Sequence, residues 1–178
     1  MFGTMITTAR LFLRAWREED LPPFARMNAD AEVRRYFPGT QTTAESNASA
    51  RRIMGYQEDY GHTYFAAELR ATAAFIGFVG MIRPDASIGF PEHCLELGWR
   101  LDKAYWGKGL ATEGARACMD YSFTHLDAPV VGAITTVSNA PSRRVMEKLG
   151  MRCTREFLHP DIARNSPVAP HVMYLRYR

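Results

Sequence analysis

A chain of 178 residues is long enough for one domain with a sizeable core and too short for two comfortable ones. Its 47% hydrophobic and 23% charged residues are the balance of a soluble globular protein. A net charge of +3 suits an anionic ligand but lacks the dense Lys/Arg runs of a nucleic-acid binder, so DNA and RNA are set aside as partners.

In chain order, "RLFLRAW" (Arg10–Trp16) alternates apolar and polar residues and predicts a first strand. "REEDLPPFARMNADAEVRRYF" is acidic at its start with prolines near the first turn, which predicts two short helices broken near Asn28-Ala29-Asp30. A turn at Phe37-Pro38-Gly39 leads to a helix over Thr42–Tyr60 that ends near Gly61. Thr63–Leu69 and Ala73–Ile82 predict an antiparallel pair, Arg83–His93 a loop, and Cys94–Leu101 a further strand. A helix over 109–125, a strand over Val130–Val137, a short helix stopped by Gly150, and two strands around the loop His159–Pro170 complete the chain. No repeat, low-complexity segment or linker is visible, so residues 1–178 are expected to form a single mixed α/β domain.

Three cysteines (Cys94, Cys118, Cys153) are odd in number and widely spaced, which suits neither a disulfide framework nor a zinc site. The five histidines do not fall at metal-ligand spacing, so no metal is expected. Arg10 and Arg14 interrupt the N-terminal apolar stretch, and the longest apolar run, Ala73–Ile82, is half the roughly 20 residues a membrane helix needs. The expectation is a cytoplasmic protein without membrane partners.

The chemistry concentrates in "AYWGKGLATEGARA", residues 104–117. Leu110, Gly114, Ala117, Cys118 and Tyr121 recur at the spacing of one buried helical stripe, with Thr112, Glu113, Arg116 and Asp120 opposite. The first turn of this helix therefore falls at about Lys108–Thr112. Its leading amides lack internal partners and sit at the positive end of the macrodipole. Gly107 and Gly109 let an anion approach that backbone, and Lys108 adds a positive charge, so the stretch predicts a phosphate seat. It is not a P-loop, because Gly109 follows the lysine and Asp102 stands at the upstream glycine position. Nor is it a dinucleotide fingerprint, which needs glycine where Thr112 stands.

Trp106-Gly107-Lys108-Gly109-Leu110-Ala111 resembles the R/Q-x-x-G-x-G/A pyrophosphate loop of the GNAT superfamily of N-acetyltransferases, with Trp106 where Arg or Gln is usual. "YWGKGLATE" after "LELGWRLD", with "NAPSRRVMEKLGM" downstream, is similar to the RimJ/RimL-type branch, and the resemblance covers nearly the whole chain. It implies a mostly antiparallel twisted sheet, splayed in the middle, with helices on both faces. It also implies acetyl-CoA as cofactor, bound by the loop from Trp106 to Thr112 and by main-chain groups of Trp99, Arg100 and Leu101 on a bulged strand. Asn139 is implied as a pantetheine contact, although a helix N-cap explains it equally. Arg143 and Arg144 stand near enough in sequence to meet adenosine phosphates or to form a solvated basic face.

Transfer to an amine needs a base, a polarised thioester carbonyl and a proton for the leaving thiolate. Glu96 is the candidate base, against the alternative of a strand residue paired with a neighbouring cation. Arg100, four residues along at roughly 3.3 Å per residue, lies too far away along the strand to be that cation. Backbone N–H groups near Leu97–Trp99 are candidates for polarising the carbonyl. The tyrosine many GNAT enzymes place after the asparagine is replaced by Met146, which cannot donate a proton. Ser142 is the remaining candidate there, to hydrogen-bond the sulfur or orient the amine, with a capping serine as its alternative. Cys118 falls on the buried stripe and the other cysteines lack a His/Asp pattern, so direct transfer is expected over an acyl-cysteine intermediate. The acceptor is a peptide N-terminal α-amine or a small-molecule amine. The competing class is a non-catalytic acyl-CoA-binding module. A homodimer is implied by family analogy alone.

Overall fold

The alternation read in the sequence becomes one eight-stranded sheet in the computed structural model, which describes residues 5–178. The strands are β1 (Ile6–Thr7), β2 (Leu11–Arg14), β3 (Tyr64–Leu69), β4 (Phe75–Ile82), β5 (Cys94–Leu101), β6 (Val130–Thr136), β7 (Arg152–Leu158) and β8 (Pro170–Tyr177). The helices are α1 (Leu21–Ala29), α2 (Thr43–Tyr60), α3 (Leu110–Thr124) and α4 (Ala140–Lys148). Spatial order is β1-β2-β3-β4-β5-β6-β8-β7, antiparallel throughout except where β5 meets β6.

Adjacent residues of β4 show how the layers form. Phe78 faces α1 and α2, joining Trp16, Phe24 and Met27 in one apolar cluster, while Val79 faces α3 with Leu97, Leu110 and Cys118 in the larger core. Three of the five expected stripe residues on α3 (Leu110, Gly114 and Cys118) are buried and Ala117 and Tyr121 are half-buried, while Ala115, Met119 and Ser122 are buried as well, so the apolar face is broader than the spacing predicts. Buried Arg14 ties the start of α1 to the sheet, pairing with Asp20 at 2.7 Å and Glu68 at 2.6 Å.

Thr42 and Glu45 form a reciprocal capping box at the start of α2, and Gly61, at φ 73°, ends it in the left-handed conformation. The second short helix expected after Asn28-Ala29-Asp30 does not form. Asp30 is extended and its side chain accepts from Glu32 N at 2.8 Å, and the Arg34 Nε binds Gly39 O at 2.7 Å. Side chain-to-backbone bonds of this kind compete with the helical ladder and turn the chain instead. The resulting loop lays Val33 into the core and Tyr36 and Phe37 beside the sheet.

β5 and β6 pair in parallel only from Cys94–Glu96 against Val130–Gly132, and then part. The bulge expected on β5 is not found against β4, with which it keeps an unbroken register from Ile82↔Glu96 to Gly77↔Leu101. The opening arises because β6 leaves, not because β5 is displaced from β4.

Gly80 and Gly98 form a cross-strand pair under this opening. A Cβ on Gly80 would lie 2.0 Å from Thr63 O and 2.5 Å from Tyr64 Cα, both backbone atoms that cannot swing away. Gly80→Ala is therefore expected to cost about 2–3 kcal/mol or more, read as a lower urea midpoint with unchanged slope. An unaltered midpoint would show that β3 and β4 are not so closely packed.

Candidate active site

Two left-handed glycines shape the phosphate loop: Gly107 at φ 73° and Gly109 at φ 76°, conformations in which a Cβ is strained. Gly109 caps α3, and the first helical bond into this region runs from Glu113 N to Gly109 O. The backbone N–H groups of Gly107 through Thr112 consequently have no acceptor among the described residues. They gather at the positive end of a helix, an arrangement that suits a diphosphate. Space beside Gly107 is open, with nothing within 4 Å of where a Cβ would stand. Arg10 braces the loop from outside, donating to Lys108 O at 2.9 Å and pairing with Glu113 at 2.6 Å.

From this loop a cavity of about 460 Å³ follows the parting of β5 and β6 to Glu96. In an antiparallel ladder alternate residues direct both main-chain groups to the same neighbour. Asp102 N donates to Ile76 O, which continues the pattern in which Arg100, Gly98 and Glu96 bond β4. While the Glu96↔Gly132 pairing directs the Leu97 N–H to Gly132 O, the Leu97 carbonyl and the main chain of Trp99 face the opening. Leu101 does too, but its carbonyl accepts from the Trp106 indole at 2.8 Å. The Arg100 main chain, expected among the free groups, is committed to Phe78.

Side chains of Glu96 and Arg100 project to the α1/α2 side of β5, with Gly98 between them. Glu96 has no cation and no hydrogen-bond partner among the described residues, and burial pushes its carboxyl up to about 7. The paired-strand alternative is thus absent from the structure. The Tyr64 ring lies across Gly98, its Cε1 2.6 Å and its Oη 3.0 Å from where a Cβ would stand. Only glycine at 98 leaves room for it. Burial, reinforced by the nearby Glu96 charge, holds the Tyr64 hydroxyl protonated well above the usual range. At the far bank, Asn139 caps α4 by accepting from Ser142 N at 3.2 Å while donating to Thr135 Oγ1 at 2.8 Å, and both Asn139 and Ser142 line the cavity.

Comparison with known proteins decides what this arrangement is. Residues 10–152 match the family described as Acetyltransferase (GNAT) domain. The chain belongs to the GNAT acetyltransferases. The protein described as uncharacterized N-acetyltransferase YnaD of Bacillus subtilis (strain 168) is 31% identical over 148 residues, covering 83% of this chain and 82% of the relative. A GNAT-family acetyltransferase from Bacillus anthracis superposes with a TM-score of 0.83 at 26% identity, covering 98% of each chain. RimL, a ribosomal L7/L12 alpha-N-protein acetyltransferase solved with coenzyme A, shares the fold with a TM-score of 0.79 at 14% identity over 98% of each chain. This chain is accordingly an acetyl-CoA-dependent acetyltransferase.

Within this GNAT fold the residues read from the sequence do not all meet. Glu96, Trp99, Arg100, Leu101, Trp106, Gly107, Gly109, Leu110, Ala111, Thr112, Asn139 and Ser142 all line the one cavity. Lys108 turns away, its Nζ donating to Ala104 O at 2.9 Å, so its ammonium does not stand beside the loop amides as expected. Arg143 is tied to Val137 O and Tyr174, whereas Arg144 lines the cavity. Met146 is 1% exposed, a core residue. Burial pushes the Cys94 thiol up to about 12 and raises Cys118 further, and neither lines the cavity. Tyr36 and Phe37, within the Arg35–Thr42 loop that the sequence offers for acceptor specificity, line the cavity, whereas Tyr64 was missed, because its place depends on β3. The available signal was Gly98, a glycine in mid-strand, which marks a close approach.

Gly107→Ala is expected to weaken coenzyme A binding about tenfold by calorimetry, since an alanine at this φ costs roughly 1–2 kcal/mol and crowds the open side of the loop. Equal affinity in the variant would remove the loop from the binding site.

Proposed function

We propose that the chain acetylates a primary amine by direct transfer, with Glu96 as the base. The observation that carries this reading is a half-buried carboxyl without a partner, raised toward neutrality in the cavity that begins at the phosphate loop. Acetyl-CoA supplies an activated acetyl group as a thioester. The loop amides of Gly107–Thr112 suit its diphosphate, and the unpaired strand edge at Leu97 and Trp99 suits an extended amide-bearing arm, as in strand addition. Trp106 closes the end of β5 and, at 41% exposed, offers its ring to the same groove. Asn139 and Ser142 form the opposite wall.

An amine acceptor is mostly protonated at neutral pH, and Glu96 takes that proton. As the nitrogen bonds to the carbonyl carbon, charge builds on oxygen, and the Trp99 N–H is the open donor of β5 that we place against it. When the carbon–sulfur bond breaks, the sulfur needs a proton. We assign that donation to Tyr64, whose hydroxyl is held protonated beside Gly98 on the face that carries Glu96, and leave Ser142 to hydrogen-bond the sulfur. Neither buried cysteine is a thiolate at neutral pH, in keeping with transfer in one step. RimL acts on a ribosomal protein, as its description states, and YnaD is described only as an N-acetyltransferase. We take residues 1–178 to act as one domain inside the cell, on a peptide or small-molecule amine.

Glu96→Gln is expected to lower turnover about 10²- to 10³-fold, measured as thiol release, with coenzyme A affinity nearly intact. In the parent enzyme kcat/KM should rise with pH and level off above about 7, where Glu96 is ionised. Saturable cofactor binding without turnover on peptides, polyamines, amino acids or aminoglycosides would favour the binding-module alternative.

The same group makes a stability prediction. Because its folded value lies above the ordinary 4.5, the native state keeps a proton the unfolded chain releases, and stability falls as pH rises from 4.5 through about 7. Glu96→Gln should therefore stabilise the fold above pH 7, by on the order of 1 kcal/mol, and not below the ordinary carboxyl range. Destabilisation at pH 8 would mean that Glu96 has a partner. Tyr64→Phe should lower kcat at least tenfold with little change in KM, whereas a drop confined to Ser142→Ala would transfer the donor role to Ser142.

A further inference from the structure

Arg100 is a cation without an anion. Its Nη1 donates to Asn28 Oδ1 at 2.9 Å, and its guanidinium lies 4.2 Å from the Phe37 ring centroid and 5.3 Å from that of Phe78. Its Nε is enclosed and has no hydrogen-bond partner. Among the described residues no carboxylate lies within ion-pair distance of it. The acids of the adjacent loop are engaged elsewhere: Lys103 holds Asp30 at 2.7 Å and Glu32 at 3.4 Å. Burial, with the positive charge of buried Arg34 nearby, lowers the Arg100 guanidinium to about 9, still charged at neutral pH. Buried charges are ordinarily paired, and leaving one unpaired is costly.

The side chain is also held in place. Asn28 is fully buried, its Nδ2 donating to Ser46 Oγ at 2.9 Å, so α1 and α2 together fix the carbonyl that grips Nη1. What remains of the guanidinium is Nη2, whose N–H groups can meet a carboxylate with the charge of the planar group behind them. Arg100 lines the cavity on the side of β5 that carries Glu96, away from the opening between the strands.

Resting on the acetyl-transfer reading above, we propose that Arg100 selects acceptors that carry a carboxylate, binding it while the amine reaches Glu96. The two residues start about 13 Å apart along the strand, so amine and carboxylate are separated by several bonds, not by the two of an α-amino acid. An ω-amino acid and a peptide with an acidic residue near its N-terminus share that chemistry.

The test compares kcat/KM for matched acceptors in the full chain: 6-aminohexanoate against 6-aminohexanamide, and Ala-Asp amide against Ala-Asn amide. The carboxylate member of at least one pair should be favoured tenfold or more, and the pair that shows it tells the small-molecule source from the peptide source. Arg100→Gln should bring that ratio close to one, chiefly through a higher KM for the carboxylate; Arg100→Lys, which keeps the charge without the planar group, should give an intermediate ratio and serves if the glutamine variant does not fold. Absence of preference in the parent enzyme, or equal losses on both members of a pair in the variants, would overturn the proposal and make Arg100 a packing residue. If no amine is acetylated at all, the acetyl-transfer reading fails first, and this one falls with it.

Discussion

The parting of β5 and β6 beyond Glu96 and Gly132 is the constraint on which the rest depends. A sheet interior normally pairs every main-chain group, and leaving several open in mid-sheet is costly unless something else satisfies them. Here β5 stays in register with β4, so one edge is stable while the other, at Leu97 and Trp99, is free. The same opening admits a ligand between strands, points one end of it at the unpaired amides before α3, and leaves Glu96 where the strands begin to part. Binding groove and reactive carboxyl are thus consequences of one departure from regular pairing.

The two faces of β5 divide the work. Toward α3, Leu95, Leu97 and Leu101 are anchored in the main core, which gives the strand a rigid backing. Toward α1 and α2, large apolar side chains are replaced by Glu96, Gly98 and Arg100, a poor choice for packing and a sensible one for chemistry. Glycine at 98 lets Tyr64 lie flat across the strand, and that ring in turn dries the surroundings of Glu96. Desolvation, with no neighbouring charge, accounts for the raised carboxyl. The fold gives up stability at this face to keep an ionisable group near neutrality.

Much of this was legible in the sequence, for local reasons. Period-two and helical patterns placed β2 to β8 and the four helices within a few residues, leaving out only the two-residue β1, and Thr42–Glu45 and Gly61 marked the limits of α2. The Gly107-Lys108-Gly109 turn carried its own signal because the left-handed conformation leaves few alternatives to glycine. What could not be read was set by contacts distant in sequence. The segment after Asp30 has a helical pattern but is drawn into turns by Lys103 and by its own side chains. Lys108 was expected at the phosphate seat, yet the carbonyl of Ala104 captures it. Which main-chain groups of β5 are free depends on its register with β4, so Arg100 was assigned to the cofactor through its backbone, whereas its side chain is the informative part. Tyr64 entered the site only once β3 was known to lie two strands from β5.

The account stands or falls on where a bound diphosphate and its amide arm sit. Amide hydrogen exchange, with and without saturating coenzyme A, reads this directly. Slowed exchange is expected at the amides of Gly107 through Thr112 and at Trp99, with Leu97, Gly98 and Arg100 already slow in the free protein. Protection confined to other segments, or none at the loop and the open strand edge, would contradict it.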